Sequence, residues 1–193
     1  MLTFFMMEKG GGKDRLRPFF LRLAQRAFSD LGLFDDRVVD YVADLLADFT
    51  RAEHLYRVRS AAGRRIDSVV EILSRSRAGA QDDALRERAL RKYLGDYALF
   101  MSGLFRKHVE RTGVLGYYLE EGRQSYWKVS ELDLTFYRAG FLLFQDLSRN
   151  FEYYSGALDY MRQAHFAPRP GDDPFGEFLK QIDGWIKVGL SNN

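Results

Sequence analysis

The chain has 193 residues, 46% of them hydrophobic, no cysteine, and a net charge of only +2 from 29 basic and 27 acidic side chains. The absent cysteines exclude disulfides, thiolate metal sites and cysteine nucleophiles, and they fit a reducing compartment. The overall charge gives no footprint for nucleic acid or an anionic membrane, and the apolar content excludes a disordered chain.

The opening MLTFFMM is too short for a secretory leader and lacks its positive flank and cleavage site. No stretch approaches the roughly 20 apolar residues of a membrane span, so a cytoplasmic protein without membrane partners is expected. Met7 is an alternative start to Met1, and Gly10–Gly12 form a flexible lead-in. Residues 1–13 are therefore set apart from one all-helical domain over 14–193. Gly12-Lys13 ends no phosphate loop, because Asp14 stands where Ser or Thr is needed.

From Asp14 the pattern is helical, with Pro18 expected in the first turn. Phe19, Leu23, Ala27 and Leu31 recur at steps of four, flanked by Phe20, Ala24 and Phe28, and Gly32 ends the run. Asp35 or Asp36 caps a second helix carrying Val38, Val42, Leu45, Leu46 and Phe49. Its aspartates 36, 40, 44 and 48 form one stripe, read as a solvated face. A cation would need further ligands converging from elsewhere. Between Arg51 and Lys92 stand eleven basic residues against six acidic ones.

The strongest helix follows Asp83. Leu85, Ala89, Tyr93, Tyr97, Phe100 and Leu104 share a face that Leu90, Leu94, Met101 and Phe105 broaden, which implies burial on more than one side. Gly95 and Gly103 each cost up to about 1 kcal/mol in a helix, and close approach of a neighbouring helix is the expected compensation. Thr112-Gly113 breaks the chain before a helix reaching about Leu132. A last long helix is expected from Glu131 or Asp133 to His165. Its seam is Leu134, Tyr137, Phe141, Phe144, Ser148, Phe151, Ser155 and Leu158. A short terminal helix with Phe175, Phe178, Leu179, Ile182 and Trp185 docks back or onto a partner.

No catalytic or metal motif stands out among these elements. His54, His108 and His165 have no helical zinc spacing, and no Glu precedes a His by three residues. No metal, cofactor or catalytic residue is expected. The best polar constellation is Asp96, Tyr97, Tyr117, Tyr118, Glu121, Arg123 and Tyr126, on two successive helices. It reads first as a buried network that fixes helix register, with Arg123, a tyrosine hydroxyl or a backbone amide as partner of Asp96. Its alternative reading is a ligand site, which calls for an enclosed pocket flanked by Asp96 and Arg123.

The segments VVDYVADLLADFTRAEHLYRVR, KYLGDYALFMSGLF and YYLEEGRQSYWKVSEL resemble a family of uncharacterised all-helical bacterial proteins with no established activity. The resemblance covers most of Val38 to Phe166. It implies a bacterial, soluble, helical protein and assigns no functional residue. The expected fold is all-α, one irregular bundle of six or seven helices centred on 84–108 and 133–165. Three functions are expected in descending order. The first is an interaction or assembly protein with a protein partner or a second copy of itself, the possible homodimer using an aromatic face. The second is a bundle binding a small apolar or aromatic ligand, with or without catalysis, at the tyrosine cluster. The third, disfavoured, is nucleic-acid binding through Arg57, Arg59, Arg64, Arg65, Arg88, Arg91 and Lys92.

Overall fold

A computed structural model of the chain describes residues 13–50, 80–136, 138–166 and 180–181, with side chains described from Leu16 and from Asp83 onward in the first two stretches. The glycine lead-in, the joint and basic segment over 51–79, and the core positions expected of the terminal helix lie outside the described residues. Among the described residues there are seven helices and no strand, so the chain is all-α. No helix among them is long and apolar enough to cross a membrane. The chain divides into two compact units, residues 1–55 with 160–193 and residues 56–159.

In the first unit, α1 (Lys13–Asp30) packs on α2 (Asp36–Phe49). The buried stripe of α1 is Leu16, Phe20, Ala24, Ala27 and Phe28, while Leu31 is exposed and Phe19 and Leu23 lie at its edge. The face is thus turned by about one position from the steps of four expected at Phe19. Pro18 falls in the second turn, not the first, and removes one helical bond there. Gly32 ends the helix at φ +73°, a conformation other residues adopt at a cost. Asp35 caps α2 by accepting from the Arg37 amide at 2.9 Å. The aspartate stripe faces solvent, and Arg17 bridges Asp40 and Asp44 at 3.1 and 2.6 Å.

The second unit is built on α3 (Ala80–Leu104), which packs against α5 (Leu115–Thr135). Between them lie Phe105, the short α4 (Arg106–Arg111) and Gly113 at φ +71°. Every residue of α3 from Leu94 on is buried, as is Phe105, so this half of the helix is covered on all sides. Nearer its N-terminus Leu85 and Ala89 are exposed. Gly95 and Gly103 are where neighbours approach: a Cβ at Gly95 would stand 2.6 Å from the Tyr126 ring, and one at Gly103 2.5 Å from Leu158.

The last long helix of the sequence reading is interrupted. The α5 helix continues to Thr135, and the chain turns before α6 (Phe141–Arg149). It bends again at Asn150, which leads into α7 (Phe151–His165). Leu134 is consequently exposed. The seam survives the bends from Phe144 through Ser148, Phe151 and Ser155 to Leu158, all buried. Its two serines are satisfied. Ser148 Oγ donates to the Arg123 carbonyl at 2.8 Å, and Ser155 Oγ donates to Ser102 Oγ at 2.9 Å.

Candidate functional site

Helices α3 and α5 run antiparallel, as the pairs Arg88–Asp133, Asp96–Tyr126 and Tyr97–Tyr118 show. Asp96 is buried among apolar side chains and is held twice: the Tyr126 hydroxyl donates to it at 2.8 Å and Lys92 Nζ at 2.7 Å. A carboxylate so placed is costly without partners, and one phenol plus one ammonium a helical turn away supply them. Tyr97 and Tyr118 meet separately, with hydroxyls 3.5 Å apart and ring centroids 5.8 Å apart.

The remaining members of the constellation stand elsewhere. Tyr117 is half-exposed, edge-on to Tyr118. Glu121 accepts from Ser125 Oγ at 3.2 Å and lies 3.6 Å from Arg91. Arg123 follows the buried Gly122 and turns toward solvent, where it grips Glu120 through Nε and Nη2 at 3.0 and 2.7 Å. That grip raises the guanidinium pKa and lowers that of the Glu120 carboxyl. The structure therefore joins Asp96 to Tyr126 and Tyr97 to Tyr118, and gives Asp96 Lys92 where Arg123 was one expected partner.

Burial pushes the Tyr97 phenol far above its ordinary value, with Tyr118 adding to the effect, and burial raises Tyr118 as well. A phenol kept protonated by the fold contributes its stability fully below the unfolded value of about 10. Above that pH the unfolded chain loses the proton first. Stability should then fall by about 1.4 kcal/mol per pH unit for each such tyrosine. Urea unfolding at a series of alkaline pH values should show this slope, and Tyr97→Phe should reduce it. An unchanged slope in the variant would show that Tyr97 is not the source.

A second feature lies on the outer side of α5. An open groove of about 650 Å³ runs between α3, α5 and α6. Arg91 contributes from α3, and Arg123, Gln124, Trp127 and Lys128 from α5. Ser148 and Arg149 close it at the end of α6. The α5 residues fall at i, i+1, i+4 and i+5, one stripe of a helix whose other side buries Gly122, Tyr126, Val129 and Asp133. Among the described residues, four cations line the groove and no carboxylate does. Three of these cations have acidic neighbours: Glu120 at 2.7 Å from Arg123, Glu121 and Glu87 at 3.6 and 3.9 Å from Arg91, and Glu131 at 3.3 Å from Lys128. Arg149 has no ion-pair partner among the described residues. The Trp127 indole donates to Glu131 at 3.2 Å and remains 41% exposed.

Of this groove, the sequence reading singled out Arg123 as a site residue and Arg91 as part of the basic segment. Ser148 stood in the expected seam, and Gln124, Trp127, Lys128 and Arg149 were not among the candidate site residues. The outward stripe Arg123-Gln124-Trp127-Lys128 could have been found from helical periodicity alone. Arg149 could not, because the turn between α5 and α6 decides where α6 lies. In the basic segment, Arg57, Arg59, Arg64 and Arg65 lie outside the described residues. Arg88 and Lys92 are committed to Asp133 and Asp96. Among the described residues no three His, Asp or Glu side chains gather to hold a metal. No family model, curated protein or solved structure matches this chain.

Proposed function

We propose that this chain is an interaction protein that binds an anionic partner through the basic groove of α3, α5 and α6. The observation that carries the reading is an open groove lined, among the described residues, by four cations and no carboxylate, with a half-exposed indole between them. The tyrosine cluster supports it indirectly, since Asp96, Tyr126, Tyr97 and Tyr118 are engaged with groups inside the unit and hold α3 and α5 in register. A volume of this order suits a ligand of small-molecule size or one residue of a larger partner.

Titration calorimetry with inorganic tripolyphosphate tests the reading. Binding should weaken as salt rises, because exposed cations are screened within about 10 Å at 0.1 M ionic strength. Arg149→Glu should abolish it while leaving the thermal midpoint close to that of the parent, since Arg149 is exposed. Absence of binding at low salt, or binding unchanged by Arg149→Glu, would remove the groove as the site.

A further inference from the structure

We infer that the groove takes a phosphate ester bearing an aromatic ring, a nucleoside polyphosphate being the simplest such ligand. The inference rests on the anion-binding reading above and adds the chemistry of the ligand. Its first support is the state of the donors. Arg91 is 3.6 Å from Glu121 and 3.9 Å from Glu87, too far for hydrogen bonds, so these contacts leave its guanidinium donors unused. Arg123 spends Nε and Nη2 on Glu120, a grip that fixes the guanidinium and turns Nη1 to other uses. Arg149 adds a planar fork suited to paired phosphate oxygens. Several guanidiniums around one groove match a chain of phosphates better than a single carboxylate.

The second support is Trp127. Its N–H is occupied by Glu131 and the side chain is part-exposed, so what it can offer a ligand in the groove is its aromatic ring. A ring face amid cations suits a flat, electron-rich ring carried by an anion, and stacking supplies attraction that does not depend on salt. Inorganic phosphate would leave that face unused. A nucleic-acid strand needs successive aromatic platforms along a basic track, and Trp127 is the single aromatic lining this groove among the described residues. One base with its own phosphates fits the arrangement.

The test compares adenosine triphosphate with inorganic tripolyphosphate by calorimetry on the full chain, in the parent and in Trp127→Ala. The nucleotide is expected to bind about tenfold tighter than tripolyphosphate. Trp127→Ala should erase that difference, lowering the affinity for the nucleotide far more than that for tripolyphosphate. Because Trp127 is partly exposed, the variant should fold, and a matching circular dichroism melt confirms that it has. Equal affinities for the two ligands in the parent would overturn the aromatic inference while the anion reading stands. Binding of neither would overturn both. Oligothymidylate that binds more tightly as it lengthens, beyond the affinity of the nucleotide, would replace a nucleotide with a single strand.

Discussion

Gly122→Ala should destabilise the protein by about 2 to 3 kcal/mol, although alanine is the better helix former. A Cβ at Gly122 would overlap the ring of Phe151, and that ring is itself buried against Tyr126 at a centroid distance of 5.8 Å. Neither side has room to yield, because α5 is pinned to α3 by the Asp96–Tyr126 bond just one turn away. Gly156→Ala is the control: nothing among the described residues lies within 4 Å of its Cβ position, so the same change in α7 should stabilise by roughly 0.5 to 1 kcal/mol. Urea unfolding of the two variants separates propensity from packing. A Gly122→Ala protein as stable as the parent would mean that α5 and α7 do not approach as closely as described. Phe151→Ala alone should cost about 3 to 5 kcal/mol. Combined with Gly122→Ala it should cost less than the sum, because the added methyl then fills vacated space.

Removing Arg88 should cost about as much as deleting Phe151. Asp133 has a side-chain exposure of 0% and takes both carboxylate bonds from Arg88, whose own side chain is 20% exposed. Arg88→Ala leaves a buried charge without this partner, a loss of about 3 to 5 kcal/mol, nearer the lower figure because water can reach the vacated edge. It also removes the guanidinium that lies 5.6 Å from the centre of the Phe144 ring. The double variant Arg88→Met with Asp133→Leu should recover most of the loss, since the charge that needed a partner has gone. Chemical denaturation of the single and double variants measures this. A double variant no better than Arg88→Ala would show that the pair's geometry matters more than its charge. Asp133 also anchors the turn into α6: its backbone carbonyl accepts from the Arg138 amide at 2.8 Å, and a Cβ at Gly140 would stand 3.1 Å from Oδ2. The turn that carries Arg149 toward the groove thus depends on the same residue.

The periodic parts of this molecule were legible in the sequence. Apolar spacing marks α1, α2 and α3, Asp35 announces a cap, and Gly32 and Gly113 stop their helices at positive φ. Gly95 and Gly103 carried a further message, a cost in helix stability that only close approach compensates, and each does meet a neighbour's side chain. Asp96 was legible as a buried group in need of partners. A tyrosine hydroxyl was among the expected partners. That it is Tyr126 rather than Arg123 that reaches across depends on the rotation of α5 about its own axis, which spacing leaves undetermined within about one residue, while Lys92 comes from one turn back on α3 itself. The same uncertainty of one position displaced the expected face of α1.

The sequence by itself determined an all-α chain without cysteine chemistry, because helical periodicity, caps and composition are local properties that each segment carries alone. The tertiary structure decided where the long C-terminal pattern bends, since a heptad seam can continue through a kink when both halves bury the same side. It also decided which charges are spent. Arg88 and Arg123 look alike in the sequence, yet one holds a buried carboxylate and the other lines an open groove. Burial and partner geometry are properties of pairs of helices, and no single helix encodes them.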